Sequence, residues 1–261
     1  MQKIRLGDME LKALFALEKD EVAMVTLADL VRKLHLSRVQ AWKLASRLVR
    51  KKRLIRLKRG IYLFAPMKAG RKGIWTENSL EAIPNIMSEK EYYVGFWFAL
   101  NHYGLTEQIP VTVQIVNTSR QRAFKALQTS FEFVQVRHLG EWQEEKIGTK
   151  SVRFATIEQL ILDCLAFPEK SGGIKGACKA LWNARKLIRW TNIETLESSD
   201  AVRRRLGYLC ELLKIKNLKT RKFVGWRWLD PSTSKIILVK SDKWGLLLNI
   251  TEKELMEWRE Y

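Results

Sequence analysis

Between Thr26 and Phe64 the apolar residues change their spacing, and that change limits the folds open to the chain. Leu27, Leu30, Val31 and Leu34 recur at helical spacing and lie on one face. Thr26 stands in a capping position before them, with Asp29 three residues on, an acid near the positive end of the helix dipole. The link His35-Leu36 is short, and Ser37 caps a second helix, RVQAWKLASRLVRKK. The pattern then shortens. Leu54, Ile55 and Leu57, against Ile61, Tyr62, Leu63 and Phe64, make two short strands, with Arg59-Gly60 as the turn and Gly60 able to take a positive φ. Upstream, Met9, Leu11, Leu14, Phe15 and Leu17 form an amphipathic helix over Asp8 to Glu18, and Val22 to Val25 is a short strand candidate. Helix, strand, helix, helix and hairpin in that order predict a winged helix-turn-helix over residues 1–70.

Charge points the same way. The chain carries 47 Lys and Arg against 28 Asp and Glu, a net of +19. A charge of that size attracts polyanions, of which nucleic acid is the commonest. Its placement is more informative than its size. From Leu30 to Thr76 there is no acid and there are 15 basic residues. Residues 1–75 hold 19 basic and 6 acidic side chains, a net of +13, and the remaining 186 residues hold the other +6. A solvated face mixes signs because like charges repel. An acid-free basic stretch with a helical apolar period fits a phosphate-facing surface.

The second helix can be drawn as a wheel at about 100° per residue. Ala41, Leu44, Ala45 and Leu48 form its core face, and Val39, Lys43, Ser46, Arg47 and Arg50 lie opposite, flanked by Arg38, Gln40 and Trp42. Such a helix has the chemistry of one that enters the major groove, where Arg pairs with guanine and Gln with adenine. The candidate DNA-contacting residues are therefore Ser37, Arg38, Gln40, Lys43, Arg47, Arg50, Arg56, Lys58 and Arg59. Arg38, Gln40, Lys43 and Arg47 are expected near base edges. Arg50 and Arg56, with Lys58 and Arg59 at the hairpin tip, are expected on phosphates.

Past Pro66 a polar, Gly-containing segment reads as a linker over 71–78, and residues 79–261 as a larger α/β domain; the whole is of the α+β class. Tyr92 to Tyr103 reads as a helix. VTVQIV and FEFVQVR alternate as strands, Val152 to Phe154 is a further one, and Thr156 caps the helix IEQLILDCLAF, which stops at Pro168. SGGIKG reads as a break before helices at 175–187, 191–197 and 200–213. WRWLD, KIILVK and KWGLLLNI offer strands, and TEKELMEW a last helix. The triplet Arg203-Arg204-Arg205 reads as a solvated helix face, or else as a further track for DNA backbone or an acidic partner.

Other chemistries find little support. Cys164, Cys178 and Cys210 are widely spaced in apolar contexts and read as core residues; His35, His102 and His138 are scattered; neither set has metal-ligand spacing, and no metal or cofactor is expected. A restriction-endonuclease-like domain would need an Asp and a Glu-x-Lys for Mg²⁺. Glu132-Phe133-Val134 lacks the Lys, Glu145-Lys146 lacks the spacer, and Asp163 falls on a helix, where a cap or buried hydrogen-bond acceptor is the plainer role. No phosphate-binding glycine loop or nucleophile elbow is present. No apolar run reaches the roughly 18 residues needed to span a bilayer, and no signal peptide or lipidation box is read, which places the chain in the cytoplasm.

Taken in order, GIYLFAP, YYVGFWFALNHYGLTEQIPVTVQIVNTSRQR, FEFVQVR and FATIEQLILDCLAFPEKSGG resemble the AbiEi family of antitoxin-like transcription regulators. The resemblance implies an N-terminal winged helix with a C-terminal α/β domain and autoregulatory binding to an operator in double-stranded DNA. It also implies a possible nucleotidyltransferase-like toxin as partner in a type IV toxin–antitoxin pair, with the transcription machinery as the other possible partner. A nuclease-like enzyme and an RNA-binding module are the alternative readings.

Overall fold

The computed structural model describes residues 5–20, 24–58, 60–65, 79–87, 90–126, 129–148, 150–220 and 222–259. The expected linker at 71–78 and the hairpin residue Arg59 lie outside the described residues. By its internal contacts the chain divides into two compact units, one of residues 1–90 with 122–131 and 146–152, the other of the remainder.

In the first unit, α1 (Asp8–Lys19) is followed by β1 (Met24–Thr26), α2 (Leu27–Leu34), α3 (Arg38–Arg50), β2 (Leu54–Lys58) and β3 (Ile61–Phe64). The strands form an antiparallel sheet in the order β1-β3-β2, with Val25 opposite Tyr62 and Leu54 opposite Phe64. Gly60 sits in the hairpin at φ 76°, the left-handed conformation its missing Cβ permits. Leu14 and Leu17 from α1, Leu30 from α2, Ala41, Leu44, Ala45 and Leu48 from α3, and Leu54, Tyr62 and Phe64 from the hairpin close into one buried cluster. Every residue of that cluster comes from positions 13–64, so this part has an apolar core of its own. A short helix, α4 (Ile83–Met87), follows.

The rest of the chain runs β4 (Tyr92–Val94), α5 (Phe96–His102), β5 (Thr112–Asn117), β6 (Phe124–Ala126), β7 (Thr129–Gln135), β8 (Trp142–Ile147) and β9 (Lys150–Ala155). Then come α6 (Ile157–Ala166), α7 (Gly173–Ala184), α8 (Trp190–Thr195), α9 (Asp200–Leu212), β10 (Arg227–Trp228), β11 (Val239–Ser241), β12 (Leu246–Leu248) and α10 (Glu252–Met256). β4 to β9 make a six-stranded mixed sheet, ordered β6-β7-β5-β4-β9-β8, and β10 to β12 a small one, ordered β10-β12-β11. The chain is α+β, with a helix-turn-helix and its strands at the N-terminal end. Among the described residues no helix is long and apolar enough to cross a membrane.

Three expectations are corrected. Tyr92 to Tyr103 is not one helix. Tyr92, Tyr93 and Val94 form a buried strand between β5 and β9, and the helix starts only after Gly95. Aromatic and β-branched residues suit that doubly covered position, and periodicity alone cannot separate a buried strand from a buried helix. SGGIKG is not a break throughout, because α7 begins at Gly173, just after Gly172 takes a left-handed φ of 80°. Only the end of KIILVK is strand; Ile236, Ile237 and Leu238 precede β11 and are exposed.

Candidate nucleic-acid interface

Each helix of the helix-turn-helix opens on a reciprocal cap. Thr26 Oγ1 accepts from the Asp29 backbone N–H (3.1 Å), and the Asp29 carboxylate accepts from the Thr26 N–H (2.9 Å) and hydroxyl (2.7 Å). Partial burial pushes the Asp29 carboxyl up, but the Thr26 hydroxyl and N–H and the neighbouring Arg32 and Lys33 outweigh it and hold it below the usual range. α2 ends at His35, which adopts a left-handed φ of 52°. Ser37 then opens α3, its hydroxyl accepting from the Gln40 N–H (3.2 Å) while the Gln40 side-chain oxygen accepts from the Ser37 N–H (2.8 Å). Reciprocal caps of this kind fix where each helix starts, and hence the direction in which α3 presents its side chains.

Ala41, Leu44, Ala45 and Leu48 are buried, as expected. Ser37, Arg38, Gln40, Lys43, Arg47 and Arg50 are all exposed, together with Val39 and Trp42. Arg56 on β2 is exposed as well; Lys58 ends that strand. Two of these residues have second roles the sequence did not suggest. The amide oxygen of Gln40 serves the cap. Arg47 pairs through Nε with Glu10 of α1 at 3.5 Å, and Lys51 reaches the same carboxylate at 2.5 Å. Glu10 is 3% exposed and also accepts from the Gly7 N–H at 2.9 Å. Burial raises its pKa, but the Lys51 ammonium, the Gly7 N–H and the Arg47 guanidinium outweigh this and lower it. Glu10 thus clasps α3 to α1. Its only sequence signal was its place three residues after Gly7, ahead of the basic stretch.

The other flank of α3 is open. A groove of about 640 Å³ runs between the start of α2 (Thr26, Leu27, Ala28), the first half of α3 (Arg38, Val39, Trp42) and the hairpin (Arg56, Gly60, Tyr62). Two arginines and an apolar floor line it, with no acid among its described residues. The Leu27 N–H donates to the Gly60 carbonyl at 2.9 Å, which ties the start of α2 to the hairpin turn.

The arginine triplet of α9 is corrected outright. Arg204 and Arg205 are 1% and 5% exposed. Arg204 donates to the carbonyls of Gly225 (2.6 Å), Gly245 (2.9 Å) and Val224 (2.8 Å) and to Asp200 (2.7 Å). Arg205 donates to the carbonyls of Leu165 (2.7 Å) and Trp228 (3.1 Å from one terminal nitrogen). Arg203 donates to the carbonyls of Ile193 and Leu196. These cations are spent on backbone carbonyls within the fold and are neither a solvated face nor a DNA track.

The carboxylates weighed for metal chemistry have protein partners. Glu132 pairs with Lys170 at 2.6 Å and Glu145 with His102 at 2.6 Å. Asp163 is a buried acceptor, taking the Tyr93 hydroxyl at 2.8 Å and the Gln159 amide N–H at 2.8 Å. Burial pushes its carboxyl up to about 7 against the pull of those two bonds. Cys164, Cys178 and Cys210 are free and buried, their thiols pushed up to about 12.

Comparison with known proteins places the groove. Residues 12–65, which carry α2, α3 and the hairpin, match the model of the family described as "Transcriptional regulator, AbiEi antitoxin". The AbiEi match stops at the hairpin, so it covers the groove-forming residues and little else. No curated protein matches the sequence. Over nearly the whole chain the fold is similar to that of the RV2827C protein from Mycobacterium tuberculosis, with a TM-score of 0.68 at 13% identity, covering 98% of this chain and 96% of that one. At that identity the likeness is one of fold.

Proposed function

We propose that the chain is a cytoplasmic, sequence-specific regulator that binds double-stranded DNA through a winged helix-turn-helix and controls its own operon, without catalytic activity of its own. The observation that carries this is the groove between α2, α3 and the hairpin, with no acid among its described lining residues, formed within the segment that matches the AbiEi model. Two arginines on its lining, with Lys43 and Arg50 exposed further along α3, supply the cations that a phosphate backbone needs. α3 is long enough, at 13 residues, to lie in a major groove while the hairpin reaches the neighbouring backbone. Arg38, Lys43 and Arg50 are exposed, and among the described residues they lack the hydrogen bonds and ion pairs that engage Gln40 and Arg47; we assign them the larger share of contact. Neutralisation of a neighbouring nucleotidyltransferase-like toxin is the second half of this reading, and it follows from the family alone.

The test is a footprint of the full chain on the DNA upstream of its own gene. Protection of a discrete site, with at least tenfold weaker binding to scrambled duplex, is expected. Equal affinity for scrambled duplex, or tighter binding to structured RNA, overturns it.

A further inference from the structure

α3 carries two large apolar side chains on the side turned away from the core. Val39 is 62% exposed and Trp42 57%. Val39, Lys43, Ser46 and Arg50 follow one another at spacings of 4, 3 and 4 residues, which stacks them on a single face. Ser46 is turned back on its own helix, its hydroxyl donating to the Trp42 carbonyl at 2.8 Å. With the Gln40 amide oxygen engaged in the cap and Arg47 on Glu10, the side chains left on the first half of the outward face include a valine, with a tryptophan beside it on the groove.

Resting on the DNA-binding reading above, we infer that Val39 and Trp42 read the 5-methyl groups of thymine. In the major groove each base pair shows donors and acceptors, and the thymine methyl is its one apolar feature. Apolar side chains presented on a basic helix gain by leaving water, and on a base edge the methyl is the group that lets them do so. The setting favours a nucleic acid over an acidic protein surface. Arg38 and Arg56 line the same groove, one on α3 where base edges are expected and one on the hairpin where phosphates are, and the lining holds no acid among its described residues. The preferred site therefore carries thymine at one or two positions under the first half of α3.

The test starts with the full chain and a random-sequence duplex pool. The enriched duplex is remade with uracil in place of each thymine in turn, which deletes the methyl and leaves base pairing and the O4 acceptor intact. Affinity is expected to fall about threefold to tenfold at one or two positions and nowhere else. Val39→Ala and Trp42→Ala are surface changes, and between them they should abolish the difference between thymine and uracil at those positions. Arg56→Ala should weaken both duplexes and keep their ratio. If no position responds to uracil, or if both variants keep the full response, the inference falls while the regulator reading stands. If no duplex is enriched, or if single strands bind more tightly than duplex, both fall.

Discussion

Asp163 offers a prediction in which the magnitude follows from the structure. Its carboxyl is buried on α6, with the Tyr93 hydroxyl and the Gln159 amide as its hydrogen-bond donors, and burial sets its pKa to about 7 against an ordinary 3.8. The folded chain therefore holds this proton to about pH 7, whereas the unfolded chain gives it up near pH 3.8. The stability that the site contributes is fully present below pH 3.8 and is lost as pH rises through about 7. One pKa unit corresponds to about 1.4 kcal/mol, so between pH 5 and pH 8 the loss from this one group is on the order of 2–3 kcal/mol. Asp163→Asn keeps the shape and removes the titration. Urea unfolding of both proteins, followed by tryptophan fluorescence at pH 5, 6, 7 and 8, gives the difference in unfolding free energy between them, in which the other titrating groups cancel. Relative to the variant, the parent should lose about 2–3 kcal/mol across that range, most of it below pH 7. A difference that stays flat, or that grows in the parent's favour as pH rises, would refute the reasoning; it would mean that the two donors hold the carboxylate ionised in spite of its burial.

Other consequences can be checked separately. Arg56→Ala should make the slope of log K against log salt shallower by about 0.9 if one phosphate contact is lost, read by anisotropy between 50 and 200 mM salt; parallel lines would place Arg56 off the backbone. Glu10→Ala leaves Arg47 and Lys51 without their carboxylate and should destabilise the N-terminal unit by about 1–3 kcal/mol, seen as a lower denaturation midpoint with little change in specificity. Arg204→Ala strips the donors from the carbonyls of Val224, Gly225 and Gly245 and should cost more than about 3 kcal/mol of stability while DNA affinity per folded molecule is unchanged; a selective loss of DNA binding would return α9 to the interface. A fragment of residues 1–70 should fold and bind duplex weakly, because its apolar cluster is drawn from residues 13–64 alone; a random-coil circular dichroism spectrum would show that the rest of the chain is needed.

Local chemistry made the N-terminal third legible. A capping residue acts within three positions of itself, so Thr26 with Asp29, and Ser37, announced both helix starts without reference to anything distant. The period of Ala41, Leu44, Ala45 and Leu48 named the buried face, and the glycine at 60 named the turn. The acid-free run from Leu30 to Thr76 was equally plain, since charge is read directly from composition. Roles that depend on partners far along the chain could not be read this way. The Arg203 to Arg205 triplet looks in sequence like any basic helix face; only the arrival of carbonyls from residues some 20 to 41 positions away turns Arg204 and Arg205 into buried donors. Tyr92 to Val94 is apolar in either a helix or a strand, and the neighbouring strands β5 and β9 decide between them. Arg47 and Gln40 lie where the helical wheel put them, yet which of the exposed groups on α3 stay available is settled by Glu10 on α1 and by the cap. The sequence determined the elements and their charge, because propensity, periodicity and capping are local. The tertiary structure decided which polar groups are spent inside the fold, because a buried donor or acceptor must find its partner in space, wherever in the chain that partner lies.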